Sequence, residues 1–496
     1  MLISRPTELK QCEGDEENLI SDISQKMIAG GKSLLVRQTI LSVTGILGSI
    51  LLARLLSPSD FGLYVIISFL VSLLSLMGDG GLGAGLIQKK EDPSAIQYNT
   101  VFWMLQLIFG AVLLLGIPVS YLGQIFYDLS VDSIYMVMTL LFSTYLTAFR
   151  VIPTAILGRS LLYDKLAVVE TVEGVGYQAL CVTFAAYGFG VWSFVLGLLF
   201  SRFLGLLLIY RVSAFYPRFE CSFSVVKGLM RFGMARQGTS IAGFLRQAVV
   251  PAMIGPTLGL EAVGYINWAE RVASYLLVPV TFFGRMVFPA LARLQGDDKA
   301  FNSVLHTIIL LYVTLIFVGL APLSVFLPET IALVFSPQWL PAVSVTYWIF
   351  SAYLLIPFAV PIFDALTAKG RSHSIFLFAI IQLGMTWTIG LLLINIFGIT
   401  GYGITYALLQ AAGILVFYLG RKLFKVRFLK FGWHFAALAM SILVGGILKF
   451  LMPIYNVFQL GGYYIFLMSF YMLILYVLSS ETRSIIKKVR KAVCSI

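Results

Sequence analysis

The sequence predicts an all-α, polytopic membrane protein with about 14 transmembrane helices, arranged as two parallel, pseudo-symmetric six-helix lobes plus two extra C-terminal helices. Three observations predict it. Of 496 residues, 59% are apolar and 12% charged, against roughly 25% charged in an ordinary soluble domain. Apolar stretches recur from residue 34 to 479, each near the roughly 20 residues that a hydrocarbon core demands of a helix, without the alternation of barrel strands. Short sequence echoes also recur about 200 residues apart, in one order.

Residues 1–33 are polar and carry "CEGDEENLISD". They lack the basic, then apolar, then small-residue order of a cleaved signal peptide, so the first span is expected to be its own anchor. Leu19, Ile20, Ile23, Met27 and Ile28 suit a short helix lying on the membrane surface or a solvated tail. Spans are expected at 34–56, 61–87, 97–121, 134–157, 166–187 and 191–210 in a first lobe (34–210). After an inter-lobe loop at 211–231, the second lobe (232–420) holds 232–255, 263–291, 303–326, 342–366, 374–396 and 401–420. Spans 432–452 and 461–479 fill the segment 421–479, and a basic tail runs from 480 to 496.

Of the 35 lysines and arginines, 26 fall in the tails and alternate connections, nine inside spans and none in the seven opposite connections. The positive-inside rule then places both termini in the cytoplasm. The formal charge of +12 is therefore a topology signal, and no nucleic-acid partner is expected. Anionic membrane lipids would hold "RSIIKKVRKAV" (483–493) to the inner surface. Cys12, Cys181, Cys221 and Cys494 imply no disulfide framework. His306, His373 and His434 lack metal-ligand spacing and read as interfacial residues near span ends, so neither a metal nor a cofactor is expected.

The echoes pair "VRQTILSVTG" (36–45) with "ARQGTSIAGF" (235–244), and "SPSDFGLY" (57–64) with "GLEAVGYI" (259–266). "GRS" recurs at 158–160 and 370–372, and "GFGVWS" (188–193) answers to "GITGYG" (398–403). The offsets are 199, 202, 212 and 210 residues. Six spans return the chain to its starting side, so the copies are parallel, an architecture that places substrate at the lobe interface and alternates access by rocking.

The stretch "LARLLSPSDFGLYVIISFLVSLLSLMGDGGLGAGLIQKKE" (52–91) resembles the first helical hairpin of Wzx-type polysaccharide flippases, within the superfamily that also holds multidrug extruders and the lipid II flippase. The resemblance implies a transporter of undecaprenyl-diphosphate-linked oligosaccharides in the bacterial cytoplasmic (inner) membrane. It also implies polysaccharide polymerase and chain-length regulator partners, and a cationic cavity lined by the first two helices of each lobe.

Within that stretch Gly78, Gly80, Gly81 and Gly83 spell G-x-G-x-x-G, but no strand precedes them and no βαβ unit contains them, which removes the dinucleotide reading. They read as helix-packing or hinge residues. Ser68, Ser72, Ser75 and Asp79 share one helical face, so Asp79 is expected to meet protein or water.

Ionisable groups inside spans need a partner or a wet cavity. Near the inner third lie Asp79, Arg150, Glu170, Glu173, Arg285 and Asp364. Arg150 and Glu173 flank their loop equally and read as a hairpin ion pair; Glu170 and Glu173 also share a face with Tyr177, and these two carboxylates, with Asp79 and Glu270, are the alternative coupling or charge-balancing candidates. Near mid-depth lie Arg202, read as structural, and Arg246, Glu270 and Arg271. Arg236, Gly243 and Arg246 form one stripe; Asn267, Arg271 and Ser274 form another. Arg246, Arg271 and Arg236 are the candidate diphosphate-binding cations, because guanidinium stays charged and donates paired hydrogen bonds. Glu270 either balances charge or braces Arg246 in a salt bridge. A drug or cation extruder is the rival transporter, disfavoured by the arginine excess. A membrane glycan polymerase or glycosyltransferase is the rival enzyme, for which no catalytic constellation stands out, so no enzymatic activity is expected.

Overall fold

The computed structural model describes residues 35–76, 93–213, 215–220, 243–413, 421–426, 428–479 and 481–483, with residues 33, 222, 241 and 418 standing alone. Every regular element among them is helical. A bilayer supplies no hydrogen bonds, so each crossing segment must satisfy its own backbone, as a helix does. Ten described helices are long and apolar enough to cross a membrane, or eleven when a pair bent by 46° counts as one span. One of the ten, Gly243–Gly284, holds segments on either side of Gly259.

The chain divides into two compact units, one formed by Met1–Leu52 and Ile67–Ile241, the other by Ala53–Ile66 and Ala242–Ile496. The first unit contains most of α1 (Leu35–Leu55) and the second half of α2 (Pro58–Ser75), then α3 (Ala95–Phe126), α4 (Asp132–Arg159), α5 (Tyr163–Ala186) and α6 (Trp192–Ser213). Helix α3 starts where the Ser94 amide donates to Gln97 Oε1 at 3.2 Å, the reciprocal half of a capping box. Its apolar face (Val101, Phe102, Leu105, Phe109) packs on Ala148 and Ile152 of α4. The start of the loop expected at 211–231 is strapped to α3. Asn99 Nδ2 donates to Glu220 at 3.0 Å, the Ser222 amide to Thr100 Oγ1 at 3.0 Å, and Trp103 Nε1 to the Arg218 carbonyl at 2.9 Å, with Phe219 stacked on Trp103 at 4.0 Å.

The second unit contains a π-helical turn Val250–Ile254, α7 (Gly255–Ser274), α8 (Val278–Arg293), α9 (Asp298–Thr330), a second π turn Ile331–Phe335 and a 3-10 turn Pro337–Ala342. It continues with α10 (Val343–Ala352), α11 (Ile356–Ala368), α12 (Ser372–Met385), a third π turn Thr386–Gly390, α13 (Leu391–Phe397) and α14 (Ile399–Ala411). The last two helices, α15 (Gly432–Leu451) and α16 (Val457–Leu478), pack on α9 and on each other. Lys449 pairs with Glu329 at 2.8 Å, and the Tyr464 and Thr330 hydroxyls meet at 2.7 Å. His434, expected at the interface, is instead fully buried, 3.3 Å from the Thr314 hydroxyl. The packing of α15 on α9 turns that face of the helix inward.

The internal echoes have geometric counterparts. Gly188 and Gly398, paired by the 210-residue offset, both sit at positive φ (81° and 60°). Gly62 and Gly264 are paired by the 202-residue offset, as are Pro58 and Leu260. A Cβ on Gly62 would strike the Leu260 carbonyl, and one on Gly264 the Pro58 carbonyl. Each copy of the repeat thus presents the same glycine to the same position of the other. The two approaches are reciprocal, glycine to carbonyl in both directions. This explains why the corner 53–66 belongs to the second unit although it comes from the first hairpin.

Candidate functional site

The second unit gathers a polar cluster where apolar side chains would be expected. Glu270, half-buried on α7, accepts a 2.5 Å hydrogen bond from the Tyr402 hydroxyl of α14. One helical turn further along α14, the Tyr406 ring lies 6.4 Å from that of Tyr402. Arg246 Nη1 donates to Gln382 Oε1 of α12 at 3.4 Å, and Gln382, itself buried, donates onward to the Leu409 carbonyl at 3.4 Å. Trp387 Nε1 donates to the Leu245 carbonyl at 3.0 Å. Two of the unit's three described π turns, Val250–Ile254 and Thr386–Gly390, lie within a few residues of Arg246 and Gln382. Such turns widen a helix by one residue and concentrate at functional sites.

Arg246 and Glu270 share this neighbourhood and interact electrostatically, yet they do not form the salt bridge that was one of two sequence expectations. Glu270 is held by a phenol and Arg246 by an amide. Arg271, the next residue on α7, is half-buried, and neither it nor Arg246 lies within ion-pair distance of a described carboxylate.

The first unit behaves differently, for there Arg37, Arg150 and Arg202 pair with Glu170 and Glu173. Glu173 sits 2.6 Å from Arg150 and 3.3 Å from Arg202, and Glu170 pairs with Arg37. The hairpin pair of α4 and α5 therefore forms, and Arg202 joins it. Room for it comes from Gly205 of α6, where a Cβ would lie 2.8 Å from Glu173 Oε2 and 3.1 Å from Arg150 Nη1. Gly78, Asp79, Gly80, Gly81, Gly83 and Arg236 lie outside the described residues, as does the side chain of Arg285.

Sequence reasoning passed over Gln382, Tyr402 and Arg54. Gln382 had a usable signal, a lone amide inside an apolar span. Tyr402 lies inside the "GITGYG" echo, which was used only for its offset. Arg54 was counted among the in-span charges without a role.

A family model described as "Polysaccharide biosynthesis protein" matches residues 51–344. The chain is 28% identical over 259 residues, 51% of each chain, to the succinoglycan biosynthesis transport protein ExoT of Rhizobium meliloti (strain 1021), so that alignment spans about half of the relative. It is 26% identical over 378 residues, 73% of each chain, to the lipopolysaccharide biosynthesis protein WzxC of Escherichia coli (strain K12). Among solved structures, the lipid II flippase MurJ in an inward closed conformation superposes with a TM-score of 0.74 at 15% identity, over 91% of this chain and 99% of that one. An inward-facing MATE family multidrug resistance transporter gives 0.57 at 17% identity, over 78% and 94%. At these identities the two structures report the fold.

Proposed function

The chain belongs to the polysaccharide biosynthesis protein family, and on that premise we propose that it flips undecaprenyl-diphosphate-linked oligosaccharide repeat units across the bacterial cytoplasmic membrane by alternating access between two lobes. Both termini are cytoplasmic in this reading, and a polysaccharide polymerase and a chain-length regulator act on what it delivers. The observation that carries it is a contrast between in-span arginines. Arg37, Arg150 and Arg202 of the first unit are each tied to a glutamate, whereas Arg246 and Arg271 of the second have no described carboxylate at ion-pair distance. Holding a guanidinium in a span costs roughly 2.5–3.5 kcal/mol at the helix centre. Leaving two without a carboxylate is economical only where an anion arrives to meet them.

A diphosphate brings about two negative charges, whose desolvation alone would cost many kcal/mol, and paired N–H donors suit its oxygens. Arg246 and Arg271 grip it, with Arg236 as a further cation on the same stripe. Glu270, poised on Tyr402, balances the charge of the empty site. Asp79 and the glycines at 78, 80, 81 and 83 serve the moving first hairpin, while Glu170 and Glu173 hold the first lobe together.

Transport of lipid-linked oligosaccharide into vesicles, normalised to protein in the membrane, tests the grip. Arg271→Ala should lower the rate at least tenfold with Arg271→Lys between, and exchanging Arg246 and Glu270 as a pair should fail to restore activity. Full activity of Arg271→Ala together with rescue by the exchange would overturn it.

A further inference from the structure

We propose that Arg54 is a positioning residue that locks the corner 53–66 onto the end of α9, and that this lock opens and closes during transport; the inference rests on the alternating-access reading above. The last four carbonyls of any helix lack partners within it. At this corner two helix ends cap each other. The Arg54 guanidinium, on the last turn of α1, donates through Nε to the Val334 carbonyl at 2.8 Å and through Nη2 to the Leu333 carbonyl at 2.5 Å. Both carbonyls belong to the π turn that finishes α9, beyond which Ser336 leaves the helix in an extended conformation. In return, Gln338 Nε2 donates to the carbonyls of Ala53 in α1 and of Leu56 just beyond it at 2.9 and 3.0 Å, and Trp339 Nε1 donates to the Ala53 carbonyl at 2.8 Å. A cation over a helix C-terminus also meets the negative end of its dipole.

The chemistry of the lock suits repeated breaking. Its acceptors are helix-end carbonyls that water can satisfy when the side chains leave, and Arg54 is itself exposed. Trp339 keeps its stack on Trp268, at 5.5 Å, within the second unit's own helices, while Phe61 of the corner touches it edge-on at 5.0 Å. The corner is also the only part of the first hairpin assigned to the second unit. For α1 and α2 to move with the helices they otherwise join, it must let go.

The test reads access and needs no substrate. Cys12, Cys221 and Cys494 are replaced by serine, the buried Cys181 is kept as an internal reference, and Ala53→Cys, fully buried beneath Gln338 and Trp339, is the reporter. The probe is a membrane-impermeant polyethylene-glycol maleimide, applied to right-side-out and inside-out vesicles. Arg54→Ala should raise the labelling rate of residue 53 at least tenfold and leave Cys181 unchanged. Arg54→Lys, which offers a point charge where the planar fork reached two carbonyls, should fall between, and Gln338→Ala should also raise the rate. A rate at residue 53 unaffected by Arg54→Ala overturns the lock, and so does a parallel rise at Cys181, which would mean general loosening. A tenfold rise confined to inside-out vesicles upholds the lock and overturns the proposed orientation.

Discussion

Glu173→Ala removes the carboxylate shared by Arg150 and Arg202, and its cost follows from burial. Arg150 and Glu173 keep only 11% and 12% of their side-chain surface exposed at a separation of 2.6 Å. Breaking one partner out of such a pair costs about 3–5 kcal/mol, and an unpaired arginine inside a span costs up to roughly 2.5–3.5 kcal/mol, the insertion value at the helix centre. The two routes meet near 3 kcal/mol, a factor of about a hundred in the folding equilibrium. Arg202, 38% exposed and 3.3 Å away, should contribute no more than about 1 kcal/mol, so Arg202→Ala should be mild. Adding Arg150→Leu to Glu173→Ala should recover most of the loss, the non-additivity that marks a coupled pair. Gly205→Val should mimic Glu173→Ala by filling the space the pair occupies. The assay is equilibrium unfolding in mixed micelles, with transport measured alongside. A Glu173→Ala protein of unchanged stability would refute the structural role. A Glu173→Gln protein that is stable yet inactive would make Glu173 a carrier of the coupling ion.

Two more outcomes are expected. Gly264→Ala should reduce folded protein in the membrane severalfold, because its Cβ meets the Pro58 backbone and no rotamer relieves it, whereas Gly110→Ala, with open space around it, should behave as the parent; equal yields would remove the special status of the corner contact. In cells with sealed envelopes, Asp128→Cys should react with an impermeant thiol reagent while Cys12 and Cys494 react only after permeabilisation, and the reverse pattern would invert the proposed topology.

By itself the sequence determined that this chain spans a membrane as helices, because the bilayer forces each span to advertise itself in about 20 consecutive residues, and its stretch 52–91 carried the resemblance to polysaccharide flippases. It also held the hairpin pair Arg150 and Glu173, whose partners sit on neighbouring helices joined by a short loop, and the 202-residue register that makes Gly62 and Gly264 equivalent. Only the tertiary structure decided that Glu270 takes Tyr402 as its partner, 132 positions along the chain, and that Arg246 reaches Gln382, 136 positions along. The same holds for Arg54 meeting the carbonyls of a π turn some 280 positions away. Such pairings depend on the rotation and slide of each helix against its neighbours. A one-residue π insertion swings every later side chain by about 100° around its helix, and hydropathy carries no record of where that insertion falls.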